Sequence, residues 1–106
     1  MLLHTVSKSA FDNSALGDCL AVVNTDDAVL LIENGVYGAL DNSPGGLAHV
    51  ENIKQLSAGG TRFYVLQADC EARGIDGSAL LSAFKSTDDA GFVALAAEAS
   101  AIQSWY

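Results

Sequence analysis

Basic residues are scarce in this chain. Five lysines and arginines stand against thirteen aspartates and glutamates, a formal charge of −8 over 106 residues. The long-range field therefore repels phosphate backbones and anionic membrane surfaces alike, which disfavours direct nucleic-acid binding. Cysteine is almost as rare. Cys19 and Cys70 lie far apart, with no CxxC and no Cys/His cluster, which argues against both a zinc site and a disulfide scaffold. Any cysteine chemistry is then that of a free thiol. No apolar run approaches the roughly 18 to 20 residues of a membrane span. The opening Met1-Leu2-Leu3-His4-Thr5 has neither a basic stretch nor a cleavage site, so a cytoplasmic protein is the expectation. Phosphate cradles are missing too: Gly35-Val36-Tyr37-Gly38 lacks the GxGxxG spacing, and nothing resembles GxxxxGK followed by Ser or Thr, which disfavours nucleotide binding. There is no internal repeat and no linker.

What is present is half hydrophobic, enough for a single domain spanning residues 1–106 to bury a real core. Its organising stretch is Asp27 to Leu40, DAVLLIENGVYGAL. Ala28 to Ile32 run apolar without a break into Glu33-Asn34-Gly35, as expected of a central strand buried on both faces and ended by a turn in which Gly35 takes positive φ. Leu2 to Val6 reads as a first strand. After Phe11, the polar Asp12-Asn13-Ser14 offers a helix cap, and Leu16, Cys19, Leu20 and Val23 follow at i, i+3, i+4 and i+7, one apolar stripe. Asp41 to Gly46 is dense in breakers and reads as a loop. Leu47, Val50, Ile53 and Leu56 mark a second helix, Gly59-Gly60 stops it, and Thr61 to Leu66 is rich in β-formers. Asp69 can cap a short helix from Cys70 to Arg73 that Gly74 ends, and Ala79 to Lys85 is a weaker strand candidate. Asp88 or Asp89 caps a helix through about Glu98, and Ala101 to Tyr106 forms a last strand. The alternation predicts an α/β fold, a mostly parallel sheet sandwiched by helices with right-handed crossovers.

In such a sheet ligands gather at the carboxyl ends of the strands, which puts Ser7 to Ser9, Glu33 to Tyr37 and Gln67 to Cys70 on one functional rim. Asp26 and Asp27 precede a strand, the wrong rim for a phosphoacceptor receiver. Cys19, on an apolar helical stripe beside Asp18, has the placement of a small packing hydrophobe. Cys70 opens a short helix, which favours a thiolate, while Asp69 and Glu71 oppose one. His4 inside a strand reads as a satisfied, half-buried imidazole, and His49 off its helix stripe as solvated. Tyr37 covers the rim or an interface. Trp105 and Tyr106 place bulky aromatics at the chain end, either as a partner surface or as closure of the chain's own core.

These residues together resemble a family. Leu3-His4-Thr5-Val6-Ser7-Lys8-Ser9 with Phe11, then LLIENGVYGAL, FYVLQADCEARGI, AGFVAL and the ending AIQSWY are similar, in colinear order over nearly the whole chain, to the DsrH/TusB family of small sulfur-relay subunits. The resemblance implies a DsrE-like fold with flavodoxin- or Rossmann-like layering. It implies assembly with DsrE/TusD-like and DsrF/TusC-like subunits, as a hetero-hexamer, or a homo-oligomer when isolated. Persulfide sulfur would pass to a small DsrC/TusE-like carrier, in sulfur oxidation or in 2-thiolation of the tRNA wobble uridine. No metal or organic cofactor is implied, and the principal sulfur-accepting cysteine belongs to the DsrE/TusD subunit. Within the family, DsrH-type members carry a first-helix cysteine where this chain has Cys19, so the resemblance nominates Cys19 over Cys70 as a persulfide carrier. Two alternatives stand beside that role: a non-catalytic assembly subunit of the same complex, and a stand-alone homo-oligomer with an unknown ligand. The chain departs from the pattern at Ser43-Pro44-Gly45-Gly46, which enlarges a loop, and at Ser86-Thr87-Asp88-Asp89, which replaces a more strand-like stretch.

Overall fold

The apolar run after Asp27 forms β2, Ala28–Leu31, with all four residues buried. In this computed structural model, which describes residues 1–10, 13–41 and 46–106, β2 is the middle strand of five. The first strand β1 is Leu2–Val6, and α1, Ala15–Val22, carries the chain from it into β2. Helix α2, Gly46–Ala58, then leads to β3, Arg62–Leu66, and α3, Gln67–Ala72, follows directly. Strand β4 is Phe84–Thr87, helix α4 is Asp89–Glu98 and β5 is Ala101–Trp105. The sheet order is β4-β3-β2-β1-β5, and every neighbouring pair is parallel.

This order dictates how the faces are covered. From β1 to β4 the chain steps one strand at a time in one direction, and right-handed crossovers put α1, α2 and α3 on one face. The return from β4 to β5 crosses the whole sheet, so the same handedness puts α4 on the other. The core divides accordingly. On the first face Leu16, Cys19 and Leu20 of α1, Val50 and Ile53 of α2 and Cys70 of α3 pack over Val6, Val29, Leu31, Phe63, Val65 and Phe84. Phe63 and Phe84 meet edge to face at 5.3 Å. On the second face, α4 lays Leu95, with Phe92, Ala96 and Ala99, over Leu3, Ala28 and Leu30.

The helices follow local chemistry. The stripe Leu16, Cys19, Leu20 is buried, and Val23 packs at its end. At the entrance Asn13 Oδ1 accepts from the Ala15 N–H at 2.7 Å, and Ser14, the cap residue, makes no side-chain cap bond. For α4 the cap is Asp88, whose carboxylate accepts from the Gly91 N–H at 2.8 Å, as the sequence suggests. The readings at Phe11 and Asp12, most of the 41–46 loop and the side chain of Leu47 lie outside the described residues.

His49, read as solvated, is half-buried, with Nδ1 sealed from solvent, and three expectations about the elements need correction as well. The strand predicted at Ala79 to Lys85 is displaced to β4: Gly77–Ala79 is a 3-10 turn capped by Asp76, and Leu80 makes an isolated antiparallel bridge to Leu40. The chain joins the sheet only where Phe84 can reach Phe63. Asp69 does not cap α3, because that helix starts earlier, at Gln67, with Leu66 as its cap residue. And Gly35 is not the positive-φ residue after β2. Glu33 is, at φ 51°, opening a seven-residue 3-10 segment, Glu33–Ala39. Gly35 is there for room: a Cβ would run into the backbone carbonyl of Val6, the oxygen that also accepts from the Ile32 N–H at 3.0 Å.

Since backbone cannot yield as a flexible side chain can, Gly35→Ala is expected to cost about 2–3 kcal/mol or more. Gly77→Ala, where a Cβ meets nothing within 4 Å, is expected to stay within about 0.5 kcal/mol. Urea unfolding of the two variants beside the wild type checks the contrast.

Candidate functional site

Two places gather chemistry-bearing groups, at opposite ends of the strands. The first is the carboxyl rim that the sequence points to. The turn after β2 is held there by α3: the Glu33 N–H donates to Asp69 Oδ2 at 2.6 Å, Arg73 Nε donates to Asn34 Oδ1 at 2.9 Å, and Arg73 Nη1 donates to the Asp69 carbonyl at 3.0 Å. Asp69 thus braces the one non-glycine left-handed residue among the described ones. Tyr37 is half-buried on the same segment. Beside it a shallow depression of about 250 Å³ is lined by Gln67, Ala68, Glu71, Asp88 and Asp89. Cys70 stands on this rim but turns inward, buried in the core. Burial pushes its thiol pKa up, the Asp69 and Glu71 carboxylates add to the rise, and Arg73 opposes it.

The second place is a buried polar chain toward the amino ends of β1 and β2. His4 and Asp27 are each only 2% exposed. Asp27 accepts from the Leu2 N–H at 2.9 Å, from the Asn24 N–H at 3.1 Å and from His4 Nε2 at 3.0 Å. On the far side of the imidazole, Trp105 Nε1 donates to His4 Nδ1 at 3.1 Å, with the two rings roughly parallel at 6.3 Å. An indole N–H only donates, so Nδ1 must carry a lone pair and the ring proton must sit on Nε2, facing the carboxylate. The Asp27 carboxylate, both imidazole nitrogens and the indole N–H are thereby all paired, as buried polar groups must be, whereas His49 Nδ1 is buried without a partner. Burial alone would raise the Asp27 pKa, but the donors from Leu2, His4 and Asn24 outweigh it and hold the carboxyl below its usual range.

Cys19 lies next to this chain, on the buried stripe of α1, and is 0% exposed. Burial first, and the Asp27 charge second, push its thiol pKa up to about 12. The thiol is thereby held protonated at pH 7, where an ordinary cysteine has a few per cent of thiolate. Cys19 and Cys70 belong to the same buried core, and among the described residues no three His, Cys, Asp or Glu side chains gather as a metal set would.

The aromatic pair at the chain end divides its roles. Trp105 packs on the first-face core and bonds His4, while Tyr106 stays out in solvent. What sequence reading missed is Asp27. Set aside for standing on the wrong rim, it is the hub that ties the start of β1, the end of α1 and the imidazole together. The available signal was an acid directly before a fully apolar strand, in parallel register with a strand that carries a histidine.

Asp27 has a lower pKa folded than unfolded, so the unfolded state takes up the proton first on acidification. Its stabilisation is complete above the unfolded value near pH 4 and is lost as pH falls through the lower folded value. Asp27→Asn is expected to cost about 2–4 kcal/mol at pH 7, with the gap to wild type closing below about pH 4. Urea midpoints measured at stepped pH values read this directly.

Several comparisons with known proteins bear on this chain. A family model described as "DsrH like protein" matches residues 8–102. The protein named TusB from Pectobacterium parmentieri is 38% identical over 74 residues, 70% of each chain. Among solved structures, the ychN protein from E. coli superposes with a TM-score of 0.85 at 15% identity, covering 98% of this chain and 97% of its own. A protein of unknown function from Methanobacterium thermoautotrophicum gives 0.77 at 16%, covering 96% of both. These last two likenesses speak for the α/β fold alone.

Proposed function

The chain belongs to the DsrH/TusB family, and from that footing we propose that it is a subunit of a cytoplasmic sulfur-relay complex, shaping the assembly while a sister chain holds the sulfur-accepting thiol. The observation that carries the assembly role is the complete burial of Cys19 on the core face of α1, which also pushes its thiol pKa up. In a relay step a thiolate attacks the terminal sulfur of a donor persulfide. The donor S–S bond breaks, the donor leaves as a thiolate, and the acceptor becomes the persulfide with no net oxidation. A thiol held protonated and sealed under α1 is poorly suited to that attack. The neighbours implied are DsrE/TusD-like and DsrF/TusC-like subunits and a DsrC/TusE-like carrier. A charge of −8 supports leaving any RNA contact to a downstream enzyme. Among the described residues no helix is long and apolar enough to cross a membrane.

The uneven covering of the sheet supports a docking face. On α4, Glu98 reaches toward β3 and pairs with Arg62 at 2.6 Å, so Val93, on the opposite flank of that helix, turns toward β1 and β5. Val93 is 69% exposed, and Ile102 on the edge strand is 51% exposed. Each offers exposed apolar surface on the α4 side of the sheet to a sister subunit. A second reading, Cys19 as a persulfide carrier, rests on the first-helix position it shares with the DsrH-type pattern. It requires α1 to lift from the sheet inside the complex.

The test is to reconstitute the complex with its sister subunits, load it from a persulfidated donor and weigh each chain. No added sulfur on this chain, with unchanged flux in Cys19→Ser, is the expected result. Added sulfur here, with flux lost in an intact Cys19→Ser complex, transfers the role to Cys19. Failure to co-elute with any sister chain points to the stand-alone oligomer. In a deletion strain, loss of 2-thiouridine from tRNA assigns the thiolation pathway, and its retention with impaired sulfur oxidation assigns the other. Ile102→Asp is expected to leave the isolated chain folded and to weaken co-elution by tenfold or more, since burying one isoleucine is worth about 1.5–3 kcal/mol.

A further inference from the structure

From the hydrogen-bond direction between Trp105 and His4, we infer that His4 is a proton-operated latch for the edge strand β5: protonation at Nδ1 ejects the Trp105 indole and loosens the carboxyl end of that strand. The indole N–H can only donate, and it points at Nδ1 from 3.1 Å. A proton placed on Nδ1 sets two donors against each other, with no acceptor between them. The other half of the imidazole is not disturbed. Nε2–H keeps its bond to Asp27 at 3.0 Å, which becomes a buried ion pair and so provides for the added charge. Only the Trp105 side has to give.

Apart from the packing of the indole on the first-face core, few bonds hold that side. Beyond the ladder to β1, the carboxyl half of β5 is tied by a long backbone bond from the Ser7 N–H to the Trp105 carbonyl at 3.4 Å and by Thr5 Oγ1 donating to Ser104 Oγ at 3.3 Å. The strand lies at the sheet edge, and Ala101 to Ser104 are exposed. The groups that face His4 are few. Asp27 does so from the start of β2, and beside it is the protonated Cys19 thiol from α1. The rest of β1 and all of β5 carry no charged side chain. Asp18 on α1 is exposed and accepts from Ser14. Asp27 itself, held below its usual range, remains a carboxylate through mild acidification, so the response belongs to the imidazole.

Trp105 is the only tryptophan in the chain, which makes its fluorescence a clean reporter. The experiment titrates the full chain from about pH 8 to about pH 5, the span over which histidine switches. It follows tryptophan emission, the ring-nitrogen shifts of His4, the indole N–H shift and amide exchange along β5. The expected result is a one-proton step with a common midpoint for the imidazole and the indole. It should bring a red shift of emission and exchange about five- to tenfold faster at the end of β5, the worth of one neutral hydrogen bond. His49→Gln keeps the step. His4→Gln, whose amide oxygen can accept from the indole but does not titrate, abolishes it. The latch is overturned if the step survives in His4→Gln, if the imidazole protonates while the indole signal stays put, or if His4 takes up no proton across the range. The last two readings need only the wild type, so a poorly folding variant does not shelter the idea.

Discussion

A parallel strand cannot turn back on itself, so every return in this chain must cross the sheet's face as a helix or long connection. That constraint decides most of what is seen. Three single-strand steps in one direction load α1, α2 and α3 onto one face, and the one long return leaves α4 to cover the other. The strands differ in hydrophobicity in the same measure. β2, covered on both sides, is uniformly apolar, whereas β5 sits at an edge, where only Trp105 packs on the helix-covered core and Ala101 to Ser104 are exposed. The exposure of Ile102 on β5 is therefore a consequence of connectivity.

The polar chain Asp27, His4, Trp105 shows how such a sheet tolerates charge inside. A carboxylate is costly to bury alone, but Asp27 collects two backbone N–H groups that the end of α1 and the start of β1 leave unpaired. It therefore serves the backbone as much as it serves His4. The same charge holds the neighbouring Cys19 thiol in its protonated form. Two features that look separate along the chain, an acid before β2 and a cysteine on α1, act on one another across the interior.

Much of the architecture was legible because periodicity reports burial. The five-residue apolar run Ala28 to Ile32, four of whose residues form β2, the stripe Leu16, Cys19, Leu20 and the cap Asp88 are each local signals, and the structure agrees with them. β4 was read too early, because the chain from Gly77 to Ala83 is shaped by contacts such as Leu80 with Leu40, which no local pattern announces. Gly35 was singled out for the wrong reason: its lack of a side chain answers a carbonyl on β1, far away in the chain. Asp69 looked like a cap, but it serves the Glu33 turn. Asp27 was passed over because its partners converge only when β1, α1 and β2 are assembled. Local chemistry was readable, and long-range polar pairing was not.

The pairing of β1 with β5 joins Leu2 to Ala101 and Val6 to Trp105. The outer edge of β1 is thus satisfied only by a strand far along the chain. Until that strand docks, Leu3 and Thr5 present an open backbone ladder, the kind of edge on which nascent chains stick to one another. Docking of β5 is therefore the step that closes the sheet on this side, and it removes that open ladder from any competing strand.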